Sequence, residues 1–270
     1  ASAQRIAQVL NTPIEVTLGE RDKISTGAHI QMENVTFSYS GATNQIENIS
    51  FSLNRGQTLG IIGPTGSGKT TIINLLMRFY DVSSGSIRIN GERIGGLPPQ
   101  ELRRYFGAAF QNDVFLNDTV YENISFLRGL ENDQVERAAK AAQIHDFILT
   151  MPDGYQSQLD IRGANLSGGQ KQRILIARAL AGAPEILVLD DSQSALDYKT
   201  DAQLRKTIHE EYSQTTTIIV SQRVSAIKNA DVILLLQGGR VEGMGTHEEL
   251  MQTCESYKKI AKVQMGGVPA

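Results

Sequence analysis

The chain has 270 residues, 40% of them hydrophobic and 20% charged, with a formal net charge of −3. This is the composition of an ordinary globular chain, and it gives no reason to expect nucleic acid as a partner. A single cysteine, Cys254, excludes an internal disulfide framework and fits a reducing compartment.

No apolar run approaches the roughly 20 residues needed to span a bilayer. There is neither a signal peptide nor an initiator Met, so the chain is expected to begin inside a longer polypeptide or after processing. The opening SAQRIAQVLNTPIEV carries a short amphipathic helix pattern (Ile6, Val9, Leu10) ended by Pro13, and the polar TLGERDKISTGA reads as a linker. From Ile30 the pattern turns to strand-like alternation in IQMENVTFSY and ENISFSL, with a turn at Gly56. Leu59 to Ile62 reads as a buried strand, followed by a helix from Lys69 to about Phe79 and a short strand, SIRING.

The middle, from about Leu97 to Gly163, reads as helix-rich. Prolines mark one helix start in LPPQELRRYF, and NDQVERAAKAAQIHDFI forms one longer pattern capped by Asn132 or Asp133. ARALAGAPEILVLDD predicts a helix stopped at Gly182 and Pro184, then a strand. DAQLRKTIHEEY is an amphipathic helix, TTTIIVS a strand, and DVILLLQGGRVEG a hairpin turning at Gly238–Gly239. THEELMQTC opens a last helix with a capping box of Thr246 and Glu249. Strands alternating with helices imply a largely parallel sheet wrapped by helices, with an antiparallel β-part beside it. There is no internal repeat.

GPTGSGKT, Gly63 to Thr70, matches G-x-x-x-x-G-K-[ST] between a strand and a helix. Glycines let backbone N–H groups curl around phosphate oxygens, and the helix adds its positive end. The cradle residues are Gly63, Thr65, Gly66, Ser67, Gly68, Lys69, Thr70 and Thr71. Lys69 brings a point charge to the β/γ-phosphates, and the Thr70 hydroxyl can bind Mg²⁺. A Gly-rich turn that binds nothing is the plain alternative, and the strand–loop–helix context argues against it. In ILVLDD, Ile186 to Leu189 predict a buried strand beside the P-loop strand, and Asp190 ends it where a carboxylate can hold the Mg²⁺ shell.

ANLSGGQKQR, Ala164 to Arg173, opens a second helix at Ser167 and two glycines. A Ser-capped helix with a flexible approach would be the default for SGG alone. In a chain that already has a P-loop, a second phosphate-seeking helix end points to the nucleotide of another subunit.

This combination resembles the nucleotide-binding domain of an ATP-binding cassette (ABC) transporter. The resemblance covers about Ile30 to Gln264, with the motifs in family order. It implies an α/β fold: a P-loop NTPase core of ABC-ATPase type, with a mixed, mainly parallel sheet, an antiparallel β-subdomain and an α-helical subdomain at about 97–165. Residues 1–28 would be a linker following a transmembrane domain, and 29–270 the nucleotide-binding domain. Tyr39 resembles the aromatic that stacks on adenine. Gln111 resembles the Q-loop glutamine that touches Mg²⁺ and relays to the membrane domain. Leu166, Ser167, Gly168, Gly169 and Gln170 form the signature motif. Ser194 to Asp197 resemble the D-loop, which crosses the dimer interface.

The cofactors implied are ATP and Mg²⁺, the metal residues Thr70, Gln111 and Asp190, and the catalytic residues Asp191, Gln222 and Gln111. The partners implied are a second ABC nucleotide-binding domain and a transmembrane domain of the same polypeptide, and the location the cytoplasmic face of the cell membrane. In the family, two domains stack head to tail, each ATP held between one P-loop and the other signature.

Three positions depart from the family pattern. Asp191 stands where Glu usually follows the strand-ending Asp, and it is shorter by one C–C bond, about 1.5 Å. A misplacement near 1 Å can cost on the order of 100-fold in rate. Gln222 stands where the family has a His that contacts the γ-phosphate, and it can neither carry positive charge nor exchange a proton at neutral pH. Ile161-Arg162-Gly163 replaces a Glu-Arg-Gly that contacts the membrane domain. The first two fall in one ATP site, while the signature is intact. This is the pattern of the degenerate-site subunit of a heterodimeric, multidrug-type bacterial exporter. A homodimeric exporter half with a working noncanonical site, a soluble ABC ATPase without a membrane role, and a separately encoded importer ATPase are the alternatives.

Overall fold

The computed structural model describes residues 5, 16, 18–24, 27–110, 114–190 and 196–266. The amphipathic pattern at Ile6, Val9 and Leu10, and Pro13, lie outside the described residues. Two sheets organise the chain. The smaller is antiparallel, in the order β2-β1-β4-β5, from β1 (Ile30–Phe37), β2 (Ile46–Leu53), β4 (Ser84–Ile89) and β5 (Glu92–Arg93). Its inward faces alternate along each strand, with Ile30, Met32, Val35 and Phe37 buried on β1.

The larger sheet has the order β10-β9-β3-β8-β7-β6. Its members are β3 (Thr58–Ile62), β6 (Phe106–Ala109), β7 (Ile186–Asp190), β8 (Thr216–Val220), β9 (Val232–Gln237) and β10 (Arg240–Gly245). All its pairings are parallel except the β9–β10 hairpin. The strands read as continuous apolar runs because both faces are covered. On one face Leu59, Ile61, Val188 and Ile218 pack with α1 (Lys69–Leu76) and the antiparallel sheet. On the other, Ile62, Leu187, Leu189 and Ile219 pack with the helices, centred on α6 (Gly168–Ala181).

The helical part comprises α2 (Pro99–Arg103), with Pro99 at its first turn, α3 (Val120–Ser125), α4 (Asn132–Ala141) and α5 (His145–Thr150). After β7 come α7 (Tyr198–Glu211), α8 (Val224–Ile227), α9 (His247–Thr253) and α10 (Glu255–Gln264). The predicted capping box of Thr246 and Glu249 forms at the start of α9.

Three expectations are corrected, and two others, the helix-rich middle and the linker stretch, gain detail. The strand ending at Asp190 is not beside the P-loop strand: β8 lies between β7 and β3. Thr216–Val220 is short and wholly buried, so it fits between them, and no local pattern marks that position. The helix-rich middle contains β6, a strand of the main sheet. The single helical pattern from Asn132 is two helices. Its cap is Glu131, boxed with Gln134, and it breaks where Gln143 turns left-handed (φ 58°). Arg173 donates to the Gln143 carbonyl and holds that break. The helix after Thr246 is not the last, because α10 follows Cys254. The linker stretch is tied down over 18–24: Gly19 and Ile24 N–H groups donate to the Gly95 and Gly91 carbonyls, Lys23 bridges to Glu92, and Asp22 pairs with Arg88.

Candidate nucleotide site

Strand β3 delivers the chain into the loop at Gly63. A Cβ there would sit 2.2 Å from the Leu236 carbonyl oxygen, so the loop can pass this point only as glycine. Gly66 (φ 80°) and Gly68 (φ 100°) hold left-handed backbone that an L side chain adopts at a cost. At Gly68 a Cβ would also approach Ile46 Cγ2 to 2.6 Å. Helix α1 therefore starts from a residue with no side chain, and among the described residues no side chain caps its first N–H groups. No acidic residue lies in its first turn either. These orphan donors and the helix dipole make the helix end an anion-binding site.

The Lys69 ammonium donates to the Gly63 and Pro64 carbonyls at 2.8 and 2.9 Å, which places it over the loop. The Ser67 hydroxyl, on a residue only 2% exposed, has no hydrogen-bond partner among the described residues, a state that a bound oxygen atom would relieve. The loop opens into a cleft of about 300 Å³ lined by Thr65, Gly66, Gly68, Lys69, Thr70, Thr71, Asp190 and Gln222. Gln45, Val220 and Ser221 complete its wall. One cleft thus brings together the loop amides, the Thr70 hydroxyl, the carboxylate ending β7 and the amide after β8.

Among the described residues no cluster of three or more His, Cys, Asp or Glu is placed to hold a metal. The donor set of one hydroxyl and one carboxylate fits Mg²⁺, which keeps several waters and takes its remaining ligands from substrate phosphates. The residues present therefore fit a Mg²⁺–triphosphate.

Tyr39 is outside that cleft wall. Its ring packs edge-on against Phe37 and Tyr80 (centroids 4.7 and 4.9 Å), and its hydroxyl reaches Thr71 Oγ1 and Asn74 at 3.4 and 3.3 Å. It is 47% exposed beside the P-loop helix, as a platform for a base would be. Gln111 and Asp191 lie outside the described residues, as do Ser194 and Ala195 of the D-loop stretch.

The signature residues are not in the cleft. Ser167 caps α6 with a capping box: its Oγ accepts from the Gln170 N–H at 3.3 Å, and the Gln170 Oε1 accepts from the Ser167 N–H at 2.7 Å. This leaves the Gly168 and Gly169 amides as the first-turn donors without an intrahelical acceptor. Leu166 is buried and seats the loop on the helical core. Asp197 is also outside the cleft. It caps α7, accepting from the Thr200 N–H at 3.0 Å, and this bond with the Thr200 hydroxyl holds its carboxyl below the usual range.

The sequence pattern missed Gln45, which lines the cleft from the residue just before β2, and Arg178. The Arg178 guanidinium is buried and donates to the Val114 and Asn123 carbonyls, tying the signature helix to the chain that follows Gln111. Neither has a local signal, since both act on residues distant in sequence.

The pattern of the family described as "ABC transporter" matches residues 46–194. The human ATP-binding cassette sub-family B member 6 is 42% identical over 238 residues, 88% of this chain and 28% of that protein. The ATP-dependent lipid A-core flippase of Saccharophagus degradans is 37% identical, over 96% of this chain and 44% of its own length. A solved bacterial Atm1-family ABC exporter with ATP bound superposes with a TM-score of 0.90 at 35% identity, over 97% of this chain and 46% of that one. The chain thus spans less than half the length of each of these relatives. The family match spans the P-loop, the strand ending in Asp190 and the signature: the chain belongs to the ABC transporter family and is its ATP-binding domain.

Proposed function

We propose that this domain binds MgATP at its own cleft, hydrolyses it slowly there, and completes the faster site of a different nucleotide-binding domain with its intact signature. The whole transporter would be an exporter, with transmembrane helices preceding this domain in the same polypeptide and the domain on the cytoplasmic side. The carrying observation is the cleft itself: Lys69, Thr70, Asp190 and Gln222 converge at an uncapped helix end. In it the loop amides and Lys69 would hold the β- and γ-phosphates, and Thr70 and Asp190 would hold Mg²⁺, whose contribution there would be charge neutralisation on the phosphates. Gln222 donates a hydrogen bond toward the γ-phosphate but cannot take up a proton there.

Ser167 to Gln170 are not among the residues that line this cleft, which supports a role for them in trans. The Ser167 hydroxyl accepts in its cap and keeps its own proton to donate. Exposed Val114, Leu127 and Ile161 in the helical part (64, 76 and 71% accessible) support contact with a membrane domain.

Nucleotide turnover tests the proposal. The chain alone is expected to bind ATP and turn it over slowly. Mixed with a partner domain carrying Glu and His at the positions of Asp191 and Gln222, it raises turnover, and Ser167→Ala here removes that gain. Rapid turnover by the chain alone, indifferent to Ser167 and abolished by Asp191→Asn, contradicts it.

A further inference from the structure

Gln264 is the last residue of α10, 42 positions from Gln222, yet its side-chain amide grips the segment that carries Gln222. Its Oε1 accepts from the Val224 N–H at 2.7 Å, and its Nε2 donates to the Gln222 carbonyl at 2.8 Å. Only one orientation of the amide satisfies both bonds, so the two contacts define each other. Together they bracket Arg223.

The Val224 N–H opens α8, a helix of four residues whose N-cap, Arg223, supplies no side-chain acceptor. Gln264 therefore gives that helix its cap from a different element. Other tethers make the segment rigid elsewhere. The Ser221 N–H donates to the Ile61 carbonyl on the P-loop strand. Arg205 of α7 donates to the Ser225 and Ala226 carbonyls at 3.0 and 2.8 Å. Gly60 lets α8 lie on β3, because a Cβ there would meet Ile227 Cβ at 2.6 Å. Between the Ser221 tether and the Arg205 tether, the Gln264 amide holds both peptide groups flanking Arg223. Helix α10 is itself anchored by Tyr257 and Ala261, both buried, with the Tyr257 hydroxyl 2.8 Å from His247 Nδ1.

We infer that Gln264 is a positioning residue for the ATP site: through the Gln222 carbonyl and the Val224 N–H it sets where the Gln222 side chain meets the γ-phosphate, so the C-terminal helix controls discrimination of ATP from ADP. This rests on the reading of Gln222 as the γ-phosphate contact. ADP lacks that phosphate, so Gln264 acts on ATP affinity alone.

MgATP and MgADP are titrated against the 270-residue chain and its Gln264→Ala, Gln264→Glu, Gln222→Ala and doubly substituted Gln222→Ala/Gln264→Ala forms. Gln264→Ala is expected to lower the ATP-over-ADP preference by about 3- to 10-fold, the loss of one or two net hydrogen bonds, with MgADP affinity unchanged. Gln264→Glu keeps the acceptor and loses the donor, and falls between. The double form is no worse than Gln222→Ala, because the two residues act as one unit. Additive losses, or equal weakening of both nucleotides together with a lower melting temperature, overturn the inference, as does an unchanged preference in Gln264→Ala when Gln222→Ala has lost it. If Gln222→Ala itself keeps the preference, the γ-phosphate reading fails first and this inference falls with it.

Discussion

The two glycine-rich helix starts of this domain look alike in sequence and differ in structure. At the P-loop, α1 begins from left-handed Gly68 with no side-chain cap, so its donors stay open and face a cleft. At the signature, α6 begins from Ser167, and a capping box consumes two of its donors against its own side chains. An open helix end inside a cleft is a site in its own right. A self-capped end outside it keeps its fold without a ligand and offers only the Ser167 hydroxyl and two glycine amides. The contrast teaches that a helix N-terminus after glycines is defined by its cap: here one end keeps its donors open to a cleft and the other satisfies two of them with its own side chains.

The sharpest way to break the contrast is to close the open end. Gly68→Ala places a side chain at φ 100° and drives Cβ into Ile46. The combined strain is on the order of 3 kcal/mol, so MgATP affinity measured by titration is expected to fall about 100-fold. The counterpart at the signature, Ser167→Ala, removes the cap and costs about 1 kcal/mol of stability by urea unfolding, while the chain's own ATP affinity stays unchanged. If the two substitutions weakened ATP binding equally, the distinction between the ends would be lost.

A smaller effect probes the base of the molecule, away from both helix ends. His29 is buried, with Nδ1 2.6 Å from the Thr216 hydroxyl, and burial followed by the charge of Arg55 pushes its imidazole below the ordinary 6.5, against the opposing pull of Glu185. A base with a depressed folded value binds protons more readily when unfolded. Its contribution is therefore full above about 6.5 and is lost as pH falls through that value and below. Urea unfolding at pH 7.5 and 5.5 should show lower stability at the acid end, and His29→Gln should reduce that slope. An unchanged slope would remove His29 as its source.

What the sequence made legible was local. The P-loop, the strand ending at Asp190, the Gly238–Gly239 hairpin and the Thr246–Glu249 box each announce themselves within a few residues, because turn geometry, caps and apolar runs are short-range effects. Non-local choices were not legible. The insertion of β8 between β3 and β7 depends on how three similar apolar strands pair. The break at Gln143 is held by Arg173, thirty positions away. Residues 18–24 read as linker because their polar side chains hide the backbone bonds they make to the β5 edge. Gln264 sits at the end of α10, and nothing beside it in sequence points to Gln222.

The proposal is that this chain's own site holds ATP with Asp191 one C–C bond short and with Gln222 unable to carry a proton. Steady-state ATP turnover by the wild-type chain and by Asp191→Glu/Gln222→His tests it most directly. The account predicts a rise on the order of 100-fold, since the intact Ser167 signature of a second copy can then complete each restored site. A wild-type rate that is already fast, or no gain on restoring Glu and His, would contradict it.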